Sequence, residues 1–236
     1  MAGQRTHLTA HNLSVAGYLS LPAAPGPGVI VLQEWWGLVP HIEAVADRLA
    51  EAGYTAFAPD LYQGKSTTSP DEAGKLMMAL NIAQTAEQLR AVVQALREHP
   101  STQGYPKVGV IGFCMGGQLA LYAACENPDI GACVDFYGIH PNVKPNFANL
   151  SAPVLGIFAE RDAFVTPEAV AALRQELDRH GKTYDFETYP DTDHAFFNDT
   201  RPEVYNPDAA YDAWHRVLRF FETHLHHQPA PSQQDN

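Results

Sequence analysis

The chain has 236 residues with a formal net charge of −12 at pH 7, is 45 % hydrophobic and 18 % charged, and so has the composition of an ordinary globular protein. A globule of this length buries about 70 % of the surface that its unfolded chain exposes, enough for one full α/β core. The acidic balance argues against nucleic acid or an anionic membrane as partner, and no apolar run approaches the roughly 20 residues needed to span a bilayer.

The first residues, Met1 to Leu13, lack the basic and then apolar layout of a signal peptide. The expectation is therefore a soluble cytoplasmic protein. Leu8 to Leu21 alternates loosely and predicts one or two antiparallel edge strands, followed by a Pro- and Gly-rich turn over Pro22 to Pro27. Gly28 to Gln33 is a continuous apolar run, as expected of a strand covered on both faces. It ends in Glu34-Trp35-Trp36-Gly37. His41 to Ala52 places Ile42, Val45, Ala46 and Leu49 at helical spacing and stops at Gly53. Thr55 to Ala58 is a strand closed by Pro59-Asp60, Gln63 to Ser69 is a polar loop, and Pro70 to Arg97 reads as a long helix with a break near Asn81.

Val108 to Gly117 then runs as an apolar strand into Gly112-Phe113-Cys114-Met115-Gly116-Gly117 and an Ala/Leu-rich helix, Gln118 to Glu126. This is the layout of a strand–elbow–helix turn with Cys114 at its apex. The glycines allow the chain to pass itself closely. The helix N-terminus beneath the thiol favours the thiolate. The other cysteines, Cys125 and Cys133, fall on a helix and a strand and read as core filling. Three cysteines make no disulfide framework. Strands over Ala132 to Tyr137, Pro153 to Ala159 and Tyr184 to Tyr189 alternate with a loop, Gly138 to Leu150, and an amphipathic helix, Pro167 to His180. A loop, Asp191 to Asn206, and a closing helix, Asp208 to Leu225, complete the pattern, with a polar tail beyond. The alternation predicts a single α/β domain over residues 1–227: a mostly parallel sheet with helices on both faces, and a tail at 228–236.

In such sheets sites form beyond the carboxyl ends of the strands. Glu34, Cys114, Asp162 and His194 each lie just past a predicted strand. Cys114, Asp162 and His194 follow the nucleophile, acid, base order of α/β-hydrolases. An imidazole takes the thiol proton, and a carboxylate holds that imidazole in the required tautomer. Glu160, Asp191 and Asp193 are rivals for the acid; Asp162 stands where the acid normally emerges. Oxyanion donors are expected at the backbone N–H of Met115 and of Trp35, each typically worth about 3 kcal/mol of barrier. Glu34, between an apolar strand and two tryptophans, is poorly hydrated. A carboxylate close to a thiol opposes its ionisation, so Glu34 is expected to keep the resting thiol protonated until substrate displaces it or recruits it as proton acceptor.

With these motifs the chain resembles the dienelactone hydrolase family, the carboxymethylenebutenolidases of the α/β-hydrolase superfamily, from about Leu13 to Leu225. The residues that carry the resemblance are Gln33-Glu34-Trp35-Trp36-Gly37, Ala58-Pro59-Asp60-Leu61-Tyr62, Gly112 to Gly117, Asp162-Ala163-Phe164-Val165 and His194-Ala195-Phe196. The resemblance implies Cys114, Asp162 and His194 as the triad, Glu34 as the carboxylate that contacts the resting thiol, and Trp35 and Met115 as oxyanion donors. It also implies hydrolysis of a small ester or enol-lactone through an acyl-cysteine, without cofactor or metal. A monomer or weak dimer is expected. The chain departs from the family at two arginines that hold the substrate carboxylate. No Arg stands between Asp71 and Lys75, and Asn198 occupies the position four residues after His194. Arg201 and Lys75 are the candidates to replace them.

Trp35, Trp36, Phe113, Tyr137, Phe164 and Phe196 are candidate walls of an aromatic pocket. His224, His226 and His227 form a histidine-rich end without Cys or Asp partners, where metal binding is not the expectation. Two other activities remain open on the same elbow: a broader carboxylesterase or thioesterase, and a thiol redox sensor or binding protein that lacks turnover.

Overall fold

In the computed structural model, which describes residues 2–226, the apolar runs form the inner strands of one eight-stranded sheet. His227 and the tail at 228–236 lie outside the described residues. The strands are β1 (Gln4–Ala10), β2 (Leu13–Ser20), β3 (Gly28–Leu32), β4 (Thr55–Pro59), β5 (Val108–Phe113), β6 (Ile130–Phe136), β7 (Val154–Ala159) and β8 (Tyr184–Tyr189). Their spatial order is β1-β2-β4-β3-β5-β6-β7-β8. From β4 to β8 every pairing is parallel, whereas β1–β2 and β2–β4 are antiparallel.

The N-terminal segment is two strands, beginning at Gln4, and only the first is an edge strand: β2 pairs with β4 on its other side. His11 and Asn12, with φ of 52° and 61°, make the tight turn between them, a left-handed pair that matches the twist of a two-residue hairpin. The helices are α1 (Pro40–Glu51), α2 (Pro70–Ala79), α3 (Ile82–Glu98), α4 (Met115–Glu126), α5 (Pro167–Arg179) and α6 (Pro207–Phe221). The break expected near Asn81 in the run Pro70 to Arg97 divides it into two helices, because Leu80 turns to an extended backbone at ψ 124° and the Asn81 side chain accepts the Gln84 N–H at 3.1 Å, starting α3 afresh. The closing helix ends at Phe221 and continues as a π-helical turn over Glu222–His226.

Alternation along each strand divides the core between the two faces of the sheet. Val29 and Val31 of β3 face the layer built by α1 and α6, with Ile42, Leu49, Val217 and Phe221. Ile30 and Leu32 face the layer built by α3 and α4, with Leu89, Leu96, Leu119 and Leu121. Burying a Leu or Ile side chain contributes about 1.5–3 kcal/mol, so the two layers hold the sheet rigid beneath its carboxyl edge. Cys125 and Cys133 are buried in the second layer, and burial raises the thiol of Cys125 to about 12 and that of Cys133 well above its ordinary value.

The tightest packing is at the exit of β5. A Cβ on Gly112 would stand 1.9 Å from the carbonyl oxygen of Gly116, and one on Gly116 would stand 2.4 Å from the carbonyl oxygen of Leu32 at the end of β3. Backbone crosses backbone there, so no neighbouring side chain can yield. Gly112→Ala should therefore cost at least about 2 kcal/mol of stability, read as a lower urea midpoint with an unchanged denaturant slope.

Candidate active site

The elbow holds Cys114 in a conformation that few non-glycine residues adopt, φ 55° and ψ −119°. The Cys114 N–H donates to the Phe136 carbonyl at 3.0 Å, and the Cys114 carbonyl accepts the N–H of Gly117 at 2.9 Å and of Ile139 at 3.1 Å. These bonds tie Cys114 to the end of β6 as well as to the first turn of α4. Met115 is the first residue of α4, so its N–H has no partner within the helix. Its sulfur accepts the Tyr62 hydroxyl at 3.2 Å.

Asp162 leaves β7 with its side chain fully buried. One oxygen accepts the backbone N–H of Phe164 at 2.7 Å and of Val165 at 2.9 Å. The other accepts His194 Nδ1–H at 2.6 Å. With Nδ1 committed to Asp162, Nε2 of His194 is the nitrogen left to serve Cys114, whose charge acts on the ring. The ring is held from its sides by Tyr137 at 4.9 Å and Phe164 at 5.2 Å between centroids. Burial works against a charge on His194, but the hydrogen bonds with Asp162 and Cys114 and the charges of those two groups raise its pKa to about 10. The rival acids are engaged elsewhere or exposed. Glu160 accepts the Asp191 N–H at 2.9 Å, Asp191 pairs with Arg161 at 3.5 Å, and Asp193 is exposed.

Glu34 lies 1 % exposed at the exit of β3. Its hydrogen bond runs to Asn198 Nδ2 at 2.8 Å, and its second oxygen has no hydrogen-bond partner among the described residues. The contact with the resting thiol that the resemblance implies is thus not a hydrogen bond here. The reason lies in Asn198. Its carbonyl oxygen accepts both the N–H (3.0 Å) and the hydroxyl (2.6 Å) of Thr200, so its amide nitrogen can only face Glu34. Burial raises the Glu34 carboxyl above its usual range, opposed by the charges of His41 and His194, the Asn198 bond and Arg201. His41 stands behind it, its Nδ1 at 3.1 Å from Asp199. Sequence reasoning marked Asn198 only as the place of a missing arginine and passed over His41. The Asn-x-Thr spacing was the available signal, since it is the pattern of a side-chain-closed turn.

Cys114 and His194 open into a cleft of about 360 Å³, within the usual range for small-molecule sites. Its walls are Trp35 and Trp36 after β3, Pro70 and Met77 of α2, Ile139 and Pro141 after β6, Phe164 after β7, and Arg201. Of the expected aromatic pocket, Trp35, Trp36 and Phe164 line the cleft. Phe113, Tyr137 and Phe196 are buried in the core, because they stand on the strand or turn side of their motifs. Arg201 lies over the Trp36 ring at 5.8 Å and pairs with Glu203 at 2.8 Å. Lys75 is exposed on α2 and is not among the residues that line this cleft. The terminal histidines that are described pack as rings: His226 meets Tyr54 at 5.3 Å and Tyr105 at 5.4 Å, and His224 meets Phe220 at 4.6 Å.

Comparisons with known proteins give the family of the chain. The family model described as "Dienelactone hydrolase family" matches residues 15–225. Protein usf of Aquifex pyrophilus is 40 % identical over 230 residues, covering 94 % of this chain and 99 % of the relative. A candidate carboxymethylenebutenolidase of Aquifex aeolicus is 36 % identical over 231 residues, with 94 % and 99 % covered. The crystal structure of a candidate dienelactone hydrolase from Klebsiella pneumoniae superposes with a TM-score of 0.84 at 30 % identity, covering 94 % of this chain and 98 % of that one. No helix among the described residues is long and apolar enough to cross a membrane. The class of reaction is hydrolysis of carboxylic ester bonds in small molecules, and the chain belongs to the dienelactone hydrolase family of the α/β-hydrolase superfamily.

Proposed function

We propose that the chain hydrolyses small esters and lactones, enol-lactones among them, through an acyl-cysteine on Cys114. The observation that carries this reading is the Asp162–His194 pair sharing one apolar cleft with Cys114. The thiolate sulfur of Cys114 attacks the carbonyl carbon, and the carbonyl electrons move onto oxygen, which is held by the N–H groups of Met115 and Trp35. Collapse of this tetrahedral species breaks the acyl C–O bond, and the imidazolium of His194 gives its Nε2 proton to the leaving oxygen. Neutral His194 then takes a proton from water. The hydroxide attacks the thioester, the acid is released, and the Cys114 sulfur and the His194 imidazolium are restored. Asp162 keeps Nδ1 protonated throughout. An enolate is a weak base and leaves readily, which suits a sulfur nucleophile.

The relatives named as carboxymethylenebutenolidases support the lactone arm of this reading. The cleft supports esters with apolar or aromatic parts, and Arg201 offers one cation to an acidic substrate. Glu34, held in place by Asn198, opposes thiolate formation in the resting enzyme; when substrate enters, its carboxylate takes the Cys114 thiol proton, and it returns that proton once the acid has left. A thiol sensor is disfavoured, because Cys125 and Cys133 are buried with raised thiols and offer no ready resolving partner.

Cys114→Ala should abolish turnover of a panel of aryl esters and enol-lactones, by about 10⁴-fold or more for loss of a nucleophile; turnover retained in this variant rejects the mechanism. Glu34→Gln should speed alkylation of Cys114 by iodoacetamide several-fold in the free enzyme, since an opposing charge is gone. Equal rates in the two proteins would remove Glu34 from this role. The charged His194 also has a thermodynamic signature. A histidine in the unfolded chain titrates near 6.5, whereas His194 keeps its proton to about 10. Its contribution to stability is therefore complete below about pH 6.5 and is lost as the pH rises toward 10. Urea titrations from pH 6 to 10 should show this decline in the wild type and a flatter course in His194→Gln.

A further inference from the structure

The wall of the cleft formed by α2 is thinly anchored. Ala73 is the one fully buried residue in this helix of ten, and Gly74 stands at its middle with open space around it. A helix this short, with glycine in its interior, is marginal by itself. Its start is fixed from the β3 side: Thr67 N–H donates to the Trp36 carbonyl at 3.0 Å, and Ser66 bridges to Gly37. Its end has neither a basic residue in the last turn nor a glycine cap, and Leu80 N–H closes it with a long bond of 3.3 Å to the Met77 carbonyl.

The same carbonyl receives a second partner from the loop after β6, which lines the same cleft. His140, 3 % exposed in the loop after β6, has Nε2 at 3.2 Å from the Met77 oxygen and Nδ1 at 3.1 Å from the Asn142 N–H. A backbone carbonyl only accepts and a backbone N–H only donates. His140 must therefore be the neutral ring with its proton on Nε2, and burial lowers its pKa in the same sense. The ring spans from the loop that presents Ile139 and Pro141 to the helix that presents Pro70 and Met77. It sits behind the cleft and is not among the residues lining it.

We infer that His140 is a positioning residue that sets substrate size: its Nε2–H caps the C-terminus of α2 and latches that helix to the adjoining wall after β6, fixing the width of the cleft. The bond supplies one of the carbonyl partners that a helix end lacks. Without it the Met77 end of α2 swings outward and the cleft admits longer acyl groups. The size-selection part rests on the ester-hydrolase reading above; the latch itself does not.

The test uses His140→Gln, His140→Asn and His140→Ala. Glutamine can place an amide nitrogen where Nε2 stands and asparagine can place an oxygen where Nδ1 stands, so the first restores the helix bond and the second only the loop bond. Two readouts are taken on the full chain: the ratio of kcat/KM for 4-nitrophenyl acetate over 4-nitrophenyl hexanoate, and amide hydrogen exchange over the last turn of α2. The expected result is wild-type selectivity and protection in His140→Gln. In His140→Asn and His140→Ala, selectivity for the short ester should fall by about fivefold, with kcat for the acetate little changed and exchange faster by a similar factor, the worth of one neutral hydrogen bond. Wild-type behaviour in His140→Asn, or His140→Gln behaving as His140→Ala, overturns the latch. Should His140→Ala fail to fold, the Gln and Asn pair still decides. If no protein in the set hydrolyses either ester, the functional reading fails, while hydrogen exchange still judges the latch.

Discussion

The close crossing of β5, α4 and the end of β3 is the constraint on which the site depends. Backbone meets backbone at distances that leave no room for a Cβ at Gly112 or Gly116. That proximity turns the chain through Cys114 in a left-handed conformation and aims the thiol out of the sheet toward the cleft. Bonds to Phe136, Gly117 and Ile139 hold the conformation from both sides. The strain is local, and the two hydrophobic layers beneath it supply the stability that keeps it in place.

A chain of net charge −12 concentrates unusual electrostatics at this edge. Asp162, Glu34 and Asp135 are buried there, and each is handled differently. Asp162 is satisfied by two backbone N–H groups and His194. Glu34 receives one amide and the field of His41, His194 and Arg201. Asp135, under the elbow against Gly117 and Gly138, is raised by burial to about 7. Full satisfaction keeps the Asp162 carboxylate fixed against the His194 ring. Incomplete satisfaction leaves one oxygen of Glu34 without a hydrogen-bond partner among the described residues.

Much of this was legible in the amino-acid sequence because it is local. The strand runs, the Gly-x-Cys-x-Gly-Gly elbow and the placement of Asp162 and His194 after apolar runs are set by periodicity and by glycine at fixed offsets. The double helix at Pro70 to Glu98 was half legible: Asn81 signals a start, but only the extended backbone at Leu80 shows a full stop. What the sequence hides are partnerships across long separations. Asn198 to Glu34 joins residues 164 positions apart, and His140 to Met77 joins residues 63 apart. Neither has a spacing rule, since both arise from loops at the same sheet edge. The aromatic residues show the same limit. Motif position identifies Phe113 and Phe164 equally, yet one packs under the elbow and the other stands 59 % exposed at the cleft.

The torsion angle at the apex also limits which chemistries this scaffold can host over evolutionary time. At φ 55° a residue branched at Cβ meets its own backbone. Cysteine and serine, unbranched at that carbon, both fit the elbow, so thiol and alcohol lineages are one base change apart on the same frame. Threonine carries the same hydroxyl and is barred, whatever its reactivity, because its extra methyl has nowhere to go.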